Sequence, residues 1–341
     1  MERHASHNRT RSRSDMKMRS VVVIGGGTGI YPVVSALKEL PVKITTIIAV
    51  SDSGGSTGRI RDEFGFPPVG DLRQSLAALA KLDSQKALQQ LLIYRFEKGT
   101  GLKGHNLGNL ILTALQDIHR STTKALEVAQ QIFRIEGSVI PSTESAVNLV
   151  ITYQDGTTVV GEHTLDGVIE QPKKIISVAL TPKCSLNPAA KKALQKADLV
   201  IIGPGDLYAS LMAVLVTPGL SQVITNAKTP VVYFLNLMTR HSQTHNMSAT
   251  DHVREIERVL GCPLTNIIVN SDPIPKRMLV AYANQQEFPV LHNLKNDKRV
   301  LQHPLLQSGS YTQSGVDTVK RALLRHSSKK ILPVIKSLLR S

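Results

Sequence analysis

Tryptophan is absent from this chain, aromatic residues make up only 4% of it, and cysteine occurs twice. So few rings leave little on which nucleic-acid bases could stack, which argues against a single-stranded nucleic-acid platform. Cys184 and Cys262 stand far apart and offer neither a disulfide framework nor a metal-ligand spacing, the pattern expected of a reducing compartment. No apolar run reaches the roughly 18 residues that a membrane span needs, and the first residues lack the apolar centre of a secretory signal. A cytoplasmic protein is expected. Also missing are a Walker lysine motif, a nucleophile elbow and a cysteine paired with a histidine in any recognisable catalytic pattern. Any chemistry would therefore rest on positioning a phosphoryl group with backbone, arginine and metal.

The formal charge of +15 looks at first like a nucleic-acid signal. Most of it is terminal. Residues 1–20 hold six Lys or Arg against Glu2 and Asp15, a balance of +4, and residues 320–341 hold seven basic residues and no acid. The body carries the remaining +4, too mild for a nucleic-acid surface. Residues 1–18, rich in Ser, Arg and His, read as a disordered basic arm, and residues 327–341 as a basic C-terminal helix or tail.

What the chain does have is two glycine-rich turns, each following an apolar run. Val21 to Ile24 leads into Gly25–Gly29 (GGGTG), and Ile44 to Val50 leads into Asp52-Ser-Gly-Gly-Ser-Thr-Gly-Arg59. Unbroken apolar runs suit parallel strands buried on both faces, and glycine turns let bare N–H groups point at an anion where the next helix begins. Gly26, Gly27, Thr28 and Gly29 are the first group of candidate contacts. In the second turn, Asp52 sits where a carboxylate binds a ribose hydroxyl or a metal. Ser53, Gly54, Gly55, Ser56 and Arg59 supply donors for phosphate oxygens.

Strand and helix signals then alternate. A helical block is expected between residues 71 and 134, and an antiparallel insertion at about 137–180 around the Asp155-Gly156 turn. Strands at Leu199–Gly203, Val231–Asn236 and Asn266–Asn270 follow, separated by helices. This predicts an α/β fold: a doubly wound, Rossmann-like parallel sheet forming a single domain over residues 19–326. Ligands bind outside the carboxyl ends of such strands, and the exit loops Gly203–Ser210 and Asn236–Thr244 are again rich in Gly, Ser, Thr and Asn. They nominate Gly203, Gly205, Tyr208 and Asn236. Arg73 early in one helix, and His105, Asn106 and Asn109 at the start of another, complete the set, with an N-cap as the competing reading for Asn106. His241 and His245 have a helical i, i+4 spacing, but their polar surroundings read as a solvated loop.

Taken together and in order, GGGTG, SDSGGSTGRIRDEF, PVGDLRQSL, GHNLGNL, IIGPGDLYASL, NLMT and SATDHV resemble the gluconeogenesis-factor family of the YvcK type, within the CofD-like superfamily. The match spans about residues 20–326. The resemblance implies a cytoplasmic protein that binds UDP-N-acetylglucosamine and is needed for growth and cell shape on gluconeogenic carbon, with no established reaction. It implies nucleotide-sugar contacts at Tyr282 and Arg325. The alternative it implies is a transferase that moves a phosphate-linked group from a nucleotide-activated donor with a divalent metal such as Mg2+, Asp52 being the metal's ligand. A nicotinamide-linked oxidoreductase would rest on Gly25, Gly27 and Asp52 alone. No nucleic-acid partner is expected; self-association and regulatory protein partners stay open.

Overall fold

The computed structural model describes residues 18–51, 55–80, 86–165, 172–308 and 323–340. Among these described residues, ten strands follow in chain order. They are β1 (Arg19–Gly25), β2 (Val42–Ile48), β3 (Ser138–Pro141), β4 (Asn148–Tyr153), β5 (Thr158–Val160), β6 (Ile175–Thr181), β7 (Leu199–Ile202), β8 (Val231–Phe234), β9 (Asn266–Asn270) and β10 (Val300–His303). Seven of them form one parallel sheet in the order β10-β9-β8-β7-β1-β2-β3; the other three form a small antiparallel sheet, β5-β4-β6.

The apolar run Val21–Ile24 is almost wholly buried because β1 lies mid-sheet with helices and strands covering both faces. Alternation divides it between two cores. Val21 and Val23 pack with helices Tyr31–Leu37, Gly70–Leu79 and Ser328–Leu338, while Val22 and Ile24 face the antiparallel sheet and helices Pro188–Gln195 and Ala249–Leu260. From β1 the chain winds outward through β2 to β3, then crosses back to β7 on the other side of β1 and winds outward again to β10. The order of strands therefore reverses between β1 and β7. That is the switch point at which doubly wound sheets bind their ligands.

Three local expectations change. The segment assigned to an insertion at 137–180 begins with β3, which pairs in parallel with β2 from Thr45/Ser138 to Ile48/Pro141 and belongs to the main sheet. Four residues are too few to display a period. The second glycine turn is shorter than expected, because a helix runs from Gly55 to Phe64, seating Thr57 and Ile60 one turn apart against the core. Residues His241–Thr244 form a short helix, with the rings of His241 and His245 edge to face at 5.1 Å. At the C-terminus, Ser328–Leu338 is a helix whose Ile331, Val334 and Ile335 are buried, and it lies against Tyr31–Leu37. Of the basic arm only Met18 is described. Among the described residues, no single helix is long and apolar enough to cross a membrane.

Candidate ligand-binding site

The loops leaving β1 and β7 touch one another. A Cβ on Gly29 would collide with the Pro204 carbonyl and lie 2.8 Å from the Gly205 Cα, so only glycine permits this approach. Gly27 takes the left-handed conformation, φ +50°, beside the Asp71 carboxylate. Beyond these turns a cavity of about 220 Å3 opens at the switch point, lined by Gly26–Gly29, Pro204–Asp206, Ser210, Asn236–Arg240 and residues of later segments.

Hydrogen bonds tie its walls together. Asn236 at the exit of β8 donates from Nδ2 to the Gly205 carbonyl at 2.7 Å and accepts from the Tyr233 hydroxyl at 3.2 Å. Arg240 lies between Asp206 (3.4 Å) and Glu287 (3.5 Å), and Glu287 is itself buried. Tyr282 is buried in an apolar cluster with Met238, Leu306 and Leu324, and its hydroxyl accepts from the Leu324 N–H at 3.0 Å. Desolvation raises the pKa of that phenol, keeping it neutral. Residues 325–327 are held in place by antiparallel pairing with 305–307: Gln307 N–H donates to the Arg325 carbonyl at 2.9 Å, and Ser327 N–H to the Leu305 carbonyl at 2.7 Å. This pairing sets Arg325 and His326 in the cavity wall. Across the lining, Asp71, Glu162, Asp206 and Glu287 face Arg240 and Arg325, an excess of acid.

Of the residues nominated from sequence, the cavity gathers Gly26, Gly27, Thr28, Gly29, Gly205, Asn236, Tyr282 and Arg325. Others lie elsewhere. Arg73 is buried between helices, where its Nε donates to Asn109 Oδ1 at 2.8 Å and an outer nitrogen to the Leu92 carbonyl at 3.2 Å. Asn109 also donates to the Thr57 hydroxyl at 3.3 Å, and the Asn106 side chain accepts from the Asn109 N–H at 3.3 Å as the N-cap of Leu107–His119. These three polar groups satisfy one another in the helical block instead of facing the cavity. Arg59 is exposed on the Gly55–Phe64 helix near His105, whose pKa is lowered by burial and by that guanidinium. Gly55 and Ser56 open the same helix. Tyr208 is buried in the core with its hydroxyl 4.0 Å from Met247 Sδ, and Gly203 packs against Ile30. Asp52, Ser53 and Gly54 fall outside the described residues.

Sequence reasoning missed Gln74, Ser210, Arg240, Glu287 and His326. Two of these lie in exit loops that it had singled out, and Glu287 and His326 lie close to the nominated Tyr282 and Arg325. Ser210 reaches the lining through a wide turn in which the Asp206 carbonyl accepts from both Ser210 and Leu211, each at 3.0 Å, a π-type opening to the following helix that no simple period announces. Gln74 Oε1 and His326 Nε2 are buried without a hydrogen-bond partner among the described residues. Among those residues, no three His, Cys, Asp or Glu side chains gather as metal ligands.

The chain matches the family described as 2-phospho-L-lactate transferase CofD over residues 21–307. It is 36% identical to a gluconeogenesis factor of Halalkalibacterium halodurans, covering 94% of this chain and 96% of that one, and 34% identical to the gluconeogenesis factor of Bacillus subtilis, covering 94% and 98%. A crystal structure of a UPF0052-family protein from Bacillus halodurans superposes with a TM-score of 0.84 at 33% identity, covering 94% of this chain and 99% of that one. A sheet wound about β1 and β7, glycine loops in contact at its switch point, and similarity along nearly the whole length converge on one assignment: the chain belongs to the CofD family and, within it, to the gluconeogenesis factors.

Proposed function

We propose that this protein is a cytoplasmic regulatory factor that binds UDP-N-acetylglucosamine and supports growth and cell-shape maintenance under gluconeogenic conditions. The observation that carries the reading is the cavity at the switch point, where glycine backbone from β1 and β7 meets two buried polar atoms, Gln74 Oε1 and His326 Nε2, without a hydrogen-bond partner among the described residues. Buried acceptors are ordinarily paired, so unpaired ones around a cavity mark a place where a ligand or ordered water completes the set. The gluconeogenesis-factor relatives support the general role. A volume of about 220 Å3 is below the range for drug-sized ligands, so the cavity takes part of an extended nucleotide sugar.

Glycine N–H groups, with Arg325, are the donors for the diphosphate. The excess of carboxylates suits a divalent cation carried in on the phosphates, since Mg2+ binds through one or two carboxylates plus substrate phosphates and needs no preformed cage. Occupancy would bias contacts with protein partners or with a second copy. UDP-N-acetylglucosamine with Mg2+ is expected to raise the melting temperature, and Arg325→Ala or Tyr282→Ala to abolish the rise. Unchanged melting of the wild-type protein at millimolar ligand would remove this function.

A further inference from the structure

Exposed apolar surface is concentrated in one part of this protein. Of the fourteen large apolar side chains exposed among the described residues, four fall within twelve consecutive positions: Leu91, Ile93, Tyr94 and Leu102, each 43–54% exposed. The helix Lys86–Ile93 has a single charged residue, and it buries Leu92 while exposing Leu91 and Ile93 to either side. A helix apolar on more than its inner face is ordinarily covered by something else.

Beyond this helix the chain forms a narrow antiparallel ribbon. Phe96 N–H donates to the His105 carbonyl at 3.0 Å, and Leu107 N–H to the Tyr94 carbonyl at 2.9 Å. The two-residue period of extended chain puts Tyr94 and Phe96 on one face, where their rings meet edge to face at 5.1 Å. Residues 97–103, between the arms of the ribbon, are all exposed, and a Cβ added to Gly99 or Gly101 would meet no atom within 4 Å. The tip therefore stands clear of the body, with Leu102 on it. Such a convex tip offers no groove to a peptide.

Charge selects the partner. Lys98 and Lys103 flank the tip, Arg95 lies in the ribbon, and the exposed Arg59 has a guanidinium nitrogen 3.4 Å from where a Cβ on Gly104 would stand. Against these four basic residues are Glu63 and Glu97, leaving a balance of +2. A second copy of the chain would set like charges together here, and the phosphates of a nucleic acid gain nothing from aliphatic side chains. An anionic bilayer uses both features. Cations sit among the headgroups, aliphatic side chains enter the acyl boundary, and a tyrosine keeps its polar end wet.

We propose that the ribbon Tyr94–Leu107, with its tip and the end of the preceding helix, is a peripheral docking surface for anionic phospholipid. None of these residues lines the cavity, so this surface and the ligand site are separate places on the molecule.

The chain has no tryptophan, so Leu102→Trp places a sole fluorophore on the tip. With the full-length chain, vesicles of phosphatidylglycerol mixed with phosphatidylcholine are expected to move its emission to shorter wavelength, and brominated acyl chains to quench it. Val280→Trp, on the exposed side of the helix Lys276–Ala283, is expected to show neither effect. Changing Lys98→Glu and Lys103→Glu together is expected to lower vesicle affinity by at least about thirtyfold, since each basic group at such a surface contributes about fivefold. Both lysines are exposed and outside the cavity, so that variant keeps the wild-type melting temperature. Absence of wild-type binding to the anionic vesicles overturns the proposal, as does equal binding to pure phosphatidylcholine. Vesicle binding in which the Leu102→Trp emission stays that of a wet indole, or which survives the double lysine change, assigns the attraction to the basic termini and overturns it too. No nucleotide enters these measurements, so the docking surface and the nucleotide-sugar reading stand or fall separately.

Discussion

At the scale of single residues, His326 makes the fold sensitive to acid. Desolvation by burial is the main cause of its depressed pKa, about 4. In the unfolded chain the imidazole titrates near 6.5. Between those values the unfolded state holds a proton that the folded state lacks, so stability falls as the pH drops from about 6.5 towards 4 and levels off below. Each pH unit in that window costs up to about 1.4 kcal/mol. Comparing wild type with His326→Asn by urea unfolding at pH 7 and pH 4.5 isolates the effect: wild type should lose about 2 kcal/mol more than the variant, and equal losses would contradict the buried neutral imidazole. The glycines of the first turn were legible from sequence because a turn that admits another loop at van der Waals contact requires them. The partnering of Arg73 with Asn109 was not, since the two lie on separate helices and sequence shows only that each is polar.

At the scale of elements, the helix Ser328–Leu338 supports the site from behind. It packs on Tyr31–Leu37, the helix that follows the Gly25–Gly29 turn, through Ile331, Val334 and Ile335 at the i, i+3, i+4 spacing of one helical face. Ile335 is fully buried, so Ile335→Ala should destabilise the protein by about 2–5 kcal/mol and weaken ligand binding without touching the cavity. Thermal unfolding and a UDP-N-acetylglucosamine titration check both effects; full stability in the variant would mean that the helix is peripheral. Its sequence alone left helix or tail open, because seven basic residues near the end masked the apolar face of Ile331, Val334 and Ile335. Elements with a fuller apolar run showed themselves better: the strand Asn266–Asn270 has the bounds expected of it. Short ones such as β3 and β10, four residues each, carry too few positions for a pattern and are set by the strands beside them.

For the molecule as a whole, the sheet consists of two wound halves that meet along one ladder, where β1 pairs with β7 over Val21–Ile24 and Leu199–Ile202. The parallel order was readable from alternating strand and helix signals, but the reversal at β1 and β7 arises from pairing between segments far apart in the chain, which local patterns do not encode. A ligand seated at that reversal contacts both halves at once. Its binding energy then adds to the single ladder joining them, by about 2.7 kcal/mol at a hundredfold excess over Kd. Hydrogen exchange with and without saturating UDP-N-acetylglucosamine should therefore slow at Gly26–Gly29 on one half and at Asn236–Thr239 and Leu324–His326 on the other. The exposed helix Lys86–Ile93, which contributes no residue to the cavity lining, should exchange unchanged. Protection confined to one half would show that the ligand sits on one wall and does not bridge the switch point. Protection that spreads equally to Lys86–Ile93 would point to global stabilisation without a located site. Only slowing on both sides of the crevice, with that helix unaffected, fits a metabolite held by both halves of one sheet.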